Sequence, residues 1–329
     1  MTVEALHDTY SSFYQAATQA DFLQAVHREN RWFTPGMVRH ALDAVRPWFD
    51  SEAWVYILVH YPAAPRELRV GISMAGNVPL VGLHDLLVVL ASGHKAVIKP
   101  SSKDSLLMQL LIAHLPPAWQ AQCHVVPQLV PGELDFLLAT GSGATARSLA
   151  HQFEGTPQLI RANRWSAALL NGSESDDDLV ALAQDMLLYH GMGCRSVCNV
   201  LAPPGYDWQR LIAALDTAPV PELADAWQDL IRWEGAIAAM HTRPFLRSTR
   251  LLLEPRTALA AARPGVAHVV EAPISEWPVL LAPHQTALQC LTGVGALPLG
   301  QAQCPGLLDF ADGVDTLLLL SGENQEKIW

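Results

Sequence analysis

The chain has 329 residues, of which 50% are hydrophobic and 16% charged, enough apolar material for one two-lobed unit or two modest domains. Its formal net charge of −11 argues against general nucleic-acid binding, which needs a basic surface. Its apolar runs are too short to span a bilayer, and its five cysteines are typical of reduced thiols rather than a disulfide framework. We therefore expect a cytoplasmic protein without a signal peptide.

The first 50 residues predict a helical and aromatic packing arm. Apolar residues at helical spacing cover Asp21–Asn30, and Thr34 with Pro35 begins a second helix that ends near Trp48. No residue type in this arm points to chemistry.

From residue 54 the pattern alternates between strands and helices. The predicted strands are Trp54–Tyr61, Leu68–Met74, Ala96–Lys99, His124–Val130 and Asp135–Ala139, and the predicted helices are Leu80–Ala91, Ser105–Leu115 and Ala144–Phe153. Strands separated by helices of this length predict a parallel sheet covered on both faces. Ligands of such sheets bind beyond the carboxyl ends of the strands.

A second α/β unit is predicted from about Arg164. Its predicted elements are a strand at Ser166–Leu170, a helix from Asp176 to about His190, a strand at Val197–Leu201, helices near 222–241, strands at Arg250–Leu253 and His268–Val270, and a strand-like tail at Gly313–Leu320. The sequence therefore predicts an α/β protein of two lobes, each with a largely parallel sheet flanked by helices.

Asn77 follows the second predicted strand, between Gly76 and the proline that opens the next helix. A side-chain amide at the carboxyl end of a strand suits a developing oxyanion. The alternative is a capped turn in which Asn77 satisfies backbone groups.

Two further loops follow predicted strands. Lys99, Pro100, Ser101, Ser102 and Lys103 offer amines and hydroxyls suited to ribose and phosphate, although a solvated turn would look the same. The second loop consists of Thr140, Gly141 and Ser142 before a helix. It could hold a pyrophosphate on backbone amides, but it lacks the full spacing of a known phosphate-binding motif.

Cys194 stands in Gly191-Met192-Gly193-Cys194-Arg195-Ser196, where flanking glycines leave it accessible and Arg195 favours its thiolate. The alternative is a buried structural cysteine. Cys198 falls inside a strand, and no cluster of Cys or His supplies further ligands, so we predict no metal site. His190 is a candidate proton relay or a favourable charge at a helix end.

The order of these loops resembles the aldehyde dehydrogenase superfamily. The residues that carry the likeness are GNVPLVGLHDLLVVLASGHKAVIKPSSKD (76–104), ATGS (139–142) and GMGCRS (191–196). With LPLGQAQCPGLLDFADGVDT (297–316), the chain is similar, more closely, to the acyl-CoA reductases typified by the fatty acid reductase component of bacterial bioluminescence.

The resemblance implies roles for these residues. Cys194 would be the nucleophile, Asn77 and the Cys194 amide would form the oxyanion hole, Lys99 would bind the adenosine ribose, and Gly141 and Ser142 would lie along the cofactor diphosphate. It also implies a helical arm and nucleotide-binding lobe at residues 1–164, a catalytic lobe at 165–300 and a tail at 301–329 that returns to the sheet.

Two departures from the superfamily refine the expected activity. Leu159–Arg164 stands where acid-forming members carry the Glu of Glu-Leu-Gly-Gly, which activates water, and this segment has no carboxylate. That absence favours exchange with a thiol over hydrolysis. Where NAD-preferring relatives have a Glu three residues after the ribose lysine, the chain has Ser102 and then Lys103, which would accept a 2′-phosphate, so we expect NADPH, with NADH as the alternative.

The predicted function is reduction of an acyl-CoA or an acyl-carrier-protein thioester to an aldehyde through a cysteinyl acyl-enzyme. The alternatives are an aldehyde dehydrogenase that forms free acid, with Glu271 or Glu276 as its base, an acyltransferase that uses no nicotinamide, and a non-catalytic interaction partner. A homo-oligomer is left open, and no nucleic acid or membrane span is expected.

Overall fold

The computed structural model describes residues 3–49 and 51–322. The chain divides into two compact units, Met1–Ala162 with Gly306–Trp329 and Asn163–Pro305. The predicted arm and tail also include residues 1, 2, 50 and 323–329, which lie outside the described residues.

The first unit begins with four helices and continues as an alternation of strands and helices. Its elements up to residue 162 are α1 Val3–Ala17, α2 Ala20–Glu29, α3 Pro35–Val45, α4 Ser51–His60, β1 Arg69–Ser73, α5 Leu83–Ala91, β2 Lys95–Lys99, α6 Ser105–His114, α7 Pro117–Gln120, β3 Cys123–Val125, β4 Phe136–Gly141, α8 Gly143–Gln152 and β5 Gln158–Ala162. The strands form one parallel sheet in the order β3-β2-β1-β4-β5.

The second unit has its own sheet. The remaining elements are β6 Trp165–Leu169, α9 Asp176–Leu187, β7 Val197–Ala202, α10 Trp208–Thr217, α11 Asp225–Met240, β8 Leu246–Arg247, β9 Leu252–Arg256, β10 Val266–Glu271, α12 Trp277–Leu281, β11 Leu288–Gly293 and α13 Thr316–Ser321. The order is β11-β6-β7-β10-β9-β8, and only β8 is antiparallel to its neighbour. The predicted α/β class with largely parallel sheets is confirmed, and α13 lies in the first unit.

Two predicted strands are helices. The run 54–61 lies in α4, where Trp54 and Ile57 are buried at a spacing of three while Leu58 and Val59 are exposed, so one helical face packs on the core. The tail 313–320 contains α13, because Asp315 caps a leucine-rich segment by accepting the Leu318 N–H at 3.1 Å.

Three other predictions need shorter bounds. The strand predicted at His124–Val130 ends at Val125, since Pro127 lacks the N–H that a ladder needs. The helix predicted from Leu80 begins at Leu83, because Leu80 has a left-handed backbone with φ of 61°. The helix predicted to reach His190 ends at Leu187.

A buried ion pair joins three elements of the first unit. On β5, Arg161 donates from Nη1 to Oδ1 of Asp85 on α5 at 2.6 Å, and from Nη2 to Oγ1 of Thr316 on α13 at 3.0 Å. The Arg161 and Asp85 side chains are 6% and 9% exposed. This pair ties the last helix of the unit to its edge strand.

Candidate functional site

The carboxyl edge of the first sheet brings together the loops singled out in the sequence. Ser73, the last residue of β1, is paired with Lys99 of β2 on one side and with Ala139 of β4 on the other. The loops that follow these three strands therefore leave from one edge. The chain runs outward from β1 to β2 and β3, then returns to β4, so β1 and β4 flank a topological switch point, where open parallel sheets bind ligands.

Two of these loops are in direct contact. The asparagine loop (residues 74–80) packs through buried Gly76 against the lysine loop (residues 99–104), and a Cβ at Gly76 would lie 2.7 Å from the Ser101 Cβ and 3.0 Å from the Lys103 Cβ. Only glycine fits here. Asn77, the next residue, is exposed.

The predicted cofactor-binding side chains of the lysine loop are accessible. Lys99 and Ser101 are half-buried, while Ser102 and Lys103 are exposed, and no carboxylate lies within 99–103. These amines and hydroxyls are suitable partners for ribose hydroxyls and phosphate oxygens.

Thr140 and Gly141, predicted to lie in a loop, are the last two residues of β4, and Ser142 joins this strand to α8. Ser142 is the N-cap residue, and its Oγ accepts the Thr145 N–H at 3.4 Å. The Ser142 hydroxyl therefore has a structural role. The backbone amides at the start of α8 are the groups of this loop that suit a phosphate.

Asp104, the last residue of the lysine loop, is buried and bonds to the asparagine loop. Its Oδ2 accepts the Leu80 N–H at 2.8 Å and thereby holds the left-handed turn of the asparagine loop. Its buried Oδ1 has no hydrogen-bond partner among the described residues. Burial, and to a lesser extent the charge of Glu29, raises the pKa of Asp104 well above its ordinary value.

Asp104→Asn should therefore flatten part of the pH dependence of stability. A raised folded pKa means that the native state binds the proton more tightly than the unfolded state, so protonated Asp104 stabilises the fold at low pH. This stabilisation is lost as the pH rises from about 4 towards the folded pKa. The loss is at most about 1.4 kcal/mol per pH unit. Denaturant unfolding across this window should show a smaller fall for the variant, whose amide oxygen still accepts the Leu80 N–H. A variant curve that falls more steeply than wild type would contradict this assignment.

In the second unit, Cys194 is exposed in a loop whose backbone is held in place. Ser166 on β6 donates its hydroxyl to the Cys194 carbonyl at 2.9 Å. Ser196 Oγ accepts the Gly193 N–H at 3.2 Å and the Gln303 Nε2–H at 3.0 Å. These bonds fix the backbone on both sides of the thiol.

The segment that supplies Gln303 is held by a buried carboxylate. Both oxygens of Asp185 on α9 accept backbone N–H groups, from Gly300 at 2.7 Å and Ala302 at 3.0 Å. Burial raises the pKa of Asp185 to about 6. Arg195 adds a bond from its guanidinium to the Ala302 carbonyl at 3.1 Å. Neither Asp185 nor Gln303 was singled out in the sequence.

The turn before the cysteine loop is strained. Tyr189, His190 and Gly191 all have left-handed backbones, with φ of 53°, 58° and 60°. Such a run is unfavourable for bulky residues and persists only where the surroundings enforce it. His190 helps to do so, because its Nε2 accepts the Ala224 N–H at 3.0 Å.

His190 does not fit the roles considered for it. It is buried, and burial lowers its pKa to about 4, so its ring is neutral at pH 7. A neutral ring is no stabilising cation at a helix end. Its ring nitrogen is engaged with the backbone, which also argues against a proton relay.

The other four cysteines are less suited to nucleophilic attack. Burial raises the pKa of the Cys123 thiol to about 11, and it also raises the pKa of Cys198, Cys290 and Cys304. Since the thiolate is the reactive form, a raised pKa lowers reactivity at pH 7. Cys194 and Cys304 are the exposed cysteines.

The two carboxylates considered as hydrolytic bases lie at the far end of the sheet. Glu271 on β10 is paired with Ala202, the last residue of β7, whereas Cys194 precedes Val197, the first. A strand of six residues separates them by roughly 17 Å. Glu271 accepts from Trp208 Nε1 at 2.7 Å and from the Gly205 N–H at 2.9 Å, and Glu276 follows it beyond the same edge.

No group of three His, Cys, Asp or Glu residues placed to hold a metal ion occurs within 3–49 and 51–322. Over the same ranges, no helix combines the length and the apolar character needed to span a membrane.

Comparison with known proteins gives matches among solved structures only. No protein-family description matches the chain, and no curated protein does. Aldehyde dehydrogenase C from Pseudomonas syringae, solved as a cysteine-to-alanine mutant with NAD+ and octanal, matches with a TM-score of 0.64 at 14% identity over 92% of this chain and 75% of its own.

Two further structures give similar values. An NAD-dependent aldehyde dehydrogenase from Sinorhizobium meliloti matches with a TM-score of 0.64 at 13% identity, over 91% of this chain and 72% of its own. Betaine aldehyde dehydrogenase from Staphylococcus aureus gives a TM-score of 0.64 at 13% identity, with 91% and 72% covered. At these identities the comparison concerns the fold: the chain has the fold of the aldehyde dehydrogenases.

Proposed function

We propose that the protein reduces an acyl thioester, carried by CoA or by an acyl-carrier protein, to an aldehyde with a nicotinamide cofactor. The observation that carries the proposal is an exposed Cys194 on a loop fixed by hydrogen bonds, in a chain with the aldehyde dehydrogenase fold. A held, accessible thiol beside glycines is the arrangement that covalent catalysis requires.

The first sheet offers groups that fit a dinucleotide. Its switch point carries the exposed Ser102 and Lys103, the half-buried Lys99, and the backbone amides at the start of α8, with Thr140 and Gly141 leading into them. Two lysines with no carboxylate at residues 100–102 between them favour NADPH over NADH, which remains the alternative cofactor. When bound, reduced nicotinamide would supply hydride to the acyl carbon.

The residues of the chain would act as follows. The Cys194 thiolate attacks the thioester carbonyl, and the C–S bond to the carrier breaks, which releases the carrier thiol after protonation. Asn77 and the Cys194 amide stabilise the oxyanion, a contribution on the order of 3 kcal/mol for a good donor. Breaking the Cys194–carbon bond after reduction frees the aldehyde and restores the thiol. The joint role of Asn77 and Cys194 rests on the resemblance of their motifs.

The positions of the carboxylates favour a thiol over water as the partner of the acyl-enzyme. Leu159–Arg164 has none, Glu271 lies roughly 17 Å along the sheet, and both oxygens of Asp185 are engaged with backbone amides. The second candidate function is oxidation of an aldehyde to the free acid. The observation that favours it is that the Pseudomonas syringae relative was solved with NAD+ and octanal.

Location and assembly belong to the same proposal. The five free cysteines support a reducing, cytoplasmic location. The proposed partners are the acyl carrier and, in a homo-oligomer, further copies of the chain.

The deciding experiment follows reduced nicotinamide by its absorbance with a panel of acyl-CoAs and acyl-carrier-protein thioesters. We expect oxidation of NADPH that depends on the thioester, with one aldehyde trapped by a hydrazine for each cofactor consumed. Aldehyde-dependent reduction of NADP+ with release of free acid, and no thioester reaction, would establish the second candidate instead. Thioester exchange without any cofactor turnover would indicate an acyltransferase.

Asn77→Ala should slow formation of the acyl-enzyme by about 10²–10³-fold, since one oxyanion donor is lost. Rapid quench and mass spectrometry of the Cys194 peptide measure this step without cofactor. NADPH affinity, followed by tryptophan fluorescence, should stay close to wild type. A variant that loses affinity and keeps its acylation rate would assign Asn77 to cofactor binding.

A further inference from the structure

Glu29, the last residue of α2, and Asn30, the C-cap residue that follows it, contact the asparagine loop, the lysine loop and the start of α6. The side chain of Asn30 is buried, and its single Nδ2 donates to two carbonyls, that of Gly76 at 3.4 Å and that of Lys103 at 3.2 Å. Glu29 accepts from the Ser105 hydroxyl and from the Leu106 N–H, at 3.3 Å for the latter, and so caps the helix that follows the lysine loop.

Only a primary amide of this length satisfies the observed contacts of Asn30. Its two N–H groups serve two carbonyls that are 46 and 73 residues away, and its Oδ1 accepts the Trp32 N–H at 3.1 Å. Aspartate has no donor to offer, and alanine leaves both carbonyls without this partner.

The two loops are also packed together where Asn30 joins them. Gly76 lies against Ser101 and Lys103 so closely that no side chain fits between them. A displacement of the lysine loop is therefore passed to Gly76 through contact and through the shared amide, and Asn77 is the next residue.

We propose that Asn30 is a positioning residue that couples nucleotide binding at the lysine loop to the placement of Asn77. The inference rests on the proposed function for the roles of the two loops, and on the hydrogen bonds of Asn30 for the link between them. Cofactor binding would thus prepare the oxyanion donor before a thioester arrives.

Hydrogen–deuterium exchange of the full chain tests the link, with NADPH as the probe. In wild type, saturating NADPH should slow exchange in peptides covering both loops. In Asn30→Ala, we expect both loops to exchange roughly five- to tenfold faster at rest, since a hydrogen bond to each is lost, and the protection of the asparagine loop by NADPH to disappear. We also expect added NADP+ to raise the rate of Cys194 acylation in wild type and to leave that rate unchanged in Asn30→Ala.

Two further variants separate positioning from general support of the arm. Asn30→Asp keeps the Oδ1 that accepts from Trp32 and loses both donors, so it should free the loops as alanine does. Tyr10→Phe removes another buried hydrogen bond of the arm, from the Tyr10 hydroxyl to the Leu42 carbonyl at 2.6 Å, and should leave both loops unchanged.

Equal effects of Asn30→Ala and Tyr10→Phe, or an asparagine loop that exchanges normally in Asn30→Ala, would overturn the link. If NADPH protects neither loop in wild type, the cofactor assignment of the proposed function fails and the coupling fails with it. Faster resting exchange of both loops in the Asn30 variants would then still establish the mechanical connection.

Discussion

Replacing Cys194 with alanine should abolish thioester-dependent oxidation of NADPH, a loss of roughly 10⁴-fold or more, as expected when a covalent nucleophile is removed. The fold should survive, because Cys194 is exposed and alanine keeps the backbone carbonyl that accepts from Ser166. The assay is the absorbance of reduced nicotinamide. Mass spectrometry should show an acyl adduct on wild type and none on the variant.

Cys304→Ala is the matched control, because Cys304 is also exposed and belongs to the same unit. Partial burial raises the pKa of the Cys304 thiol, which argues against a nucleophilic role, so activity close to wild type is expected. If the acyl adduct persisted in Cys194→Ala and vanished in Cys304→Ala, Cys304 would be the nucleophile.

The sequence predicted most of the sheet elements because their signals are local. Short apolar runs ended by glycine, proline or a polar cap mark β1, β2, β4 and β7, and the helices between them imply parallel strands. Periodicity failed for 54–61 and 313–320, where nearly continuous apolar residues fit either period. Both segments are helical, because one face of α4 is buried against the core and Asp315 caps the N-terminus of α13.

Candidate residues on loops were predictable for a related reason. The side chains of Asn77, Lys99 and Cys194 have functional groups whose chemistry can be inferred from the residue type alone. Parallel strands also align their carboxyl ends at one edge of the sheet. Residues that support the site from a distance gave no such signal. Asn30 acts on carbonyls 46 and 73 residues away, and Gln303 contacts Ser196 across 107 residues, so only the folded chain shows their roles.

The Arg161–Asp85 pair gives the carboxylate-free segment Leu159–Arg164 a structural role in the first unit. Arg161 faces the core of the first unit, where it binds Asp85 and Thr316 and joins β5 to α5 and α13. Two charges in a buried place are tolerated only together, since a single ion there loses its hydration without compensation.

Arg161→Ala should therefore destabilise the first unit by about 3–5 kcal/mol, because it leaves the Asp85 carboxylate buried without its partner. Denaturant unfolding measures the loss of stability. Hydrogen–deuterium exchange at α13 should report it first, since Thr316 loses its bond to the guanidinium.

Arg66→Ala is the matched control: it breaks a surface pair with Asp135 at 3.1 Å and should cost at most about 1 kcal/mol. The double variant Arg161→Met with Asp85→Leu removes both charges and should recover most of the stability. If this double variant were as unstable as Arg161→Ala, lost packing rather than the unpaired carboxylate would be the cause of the effect.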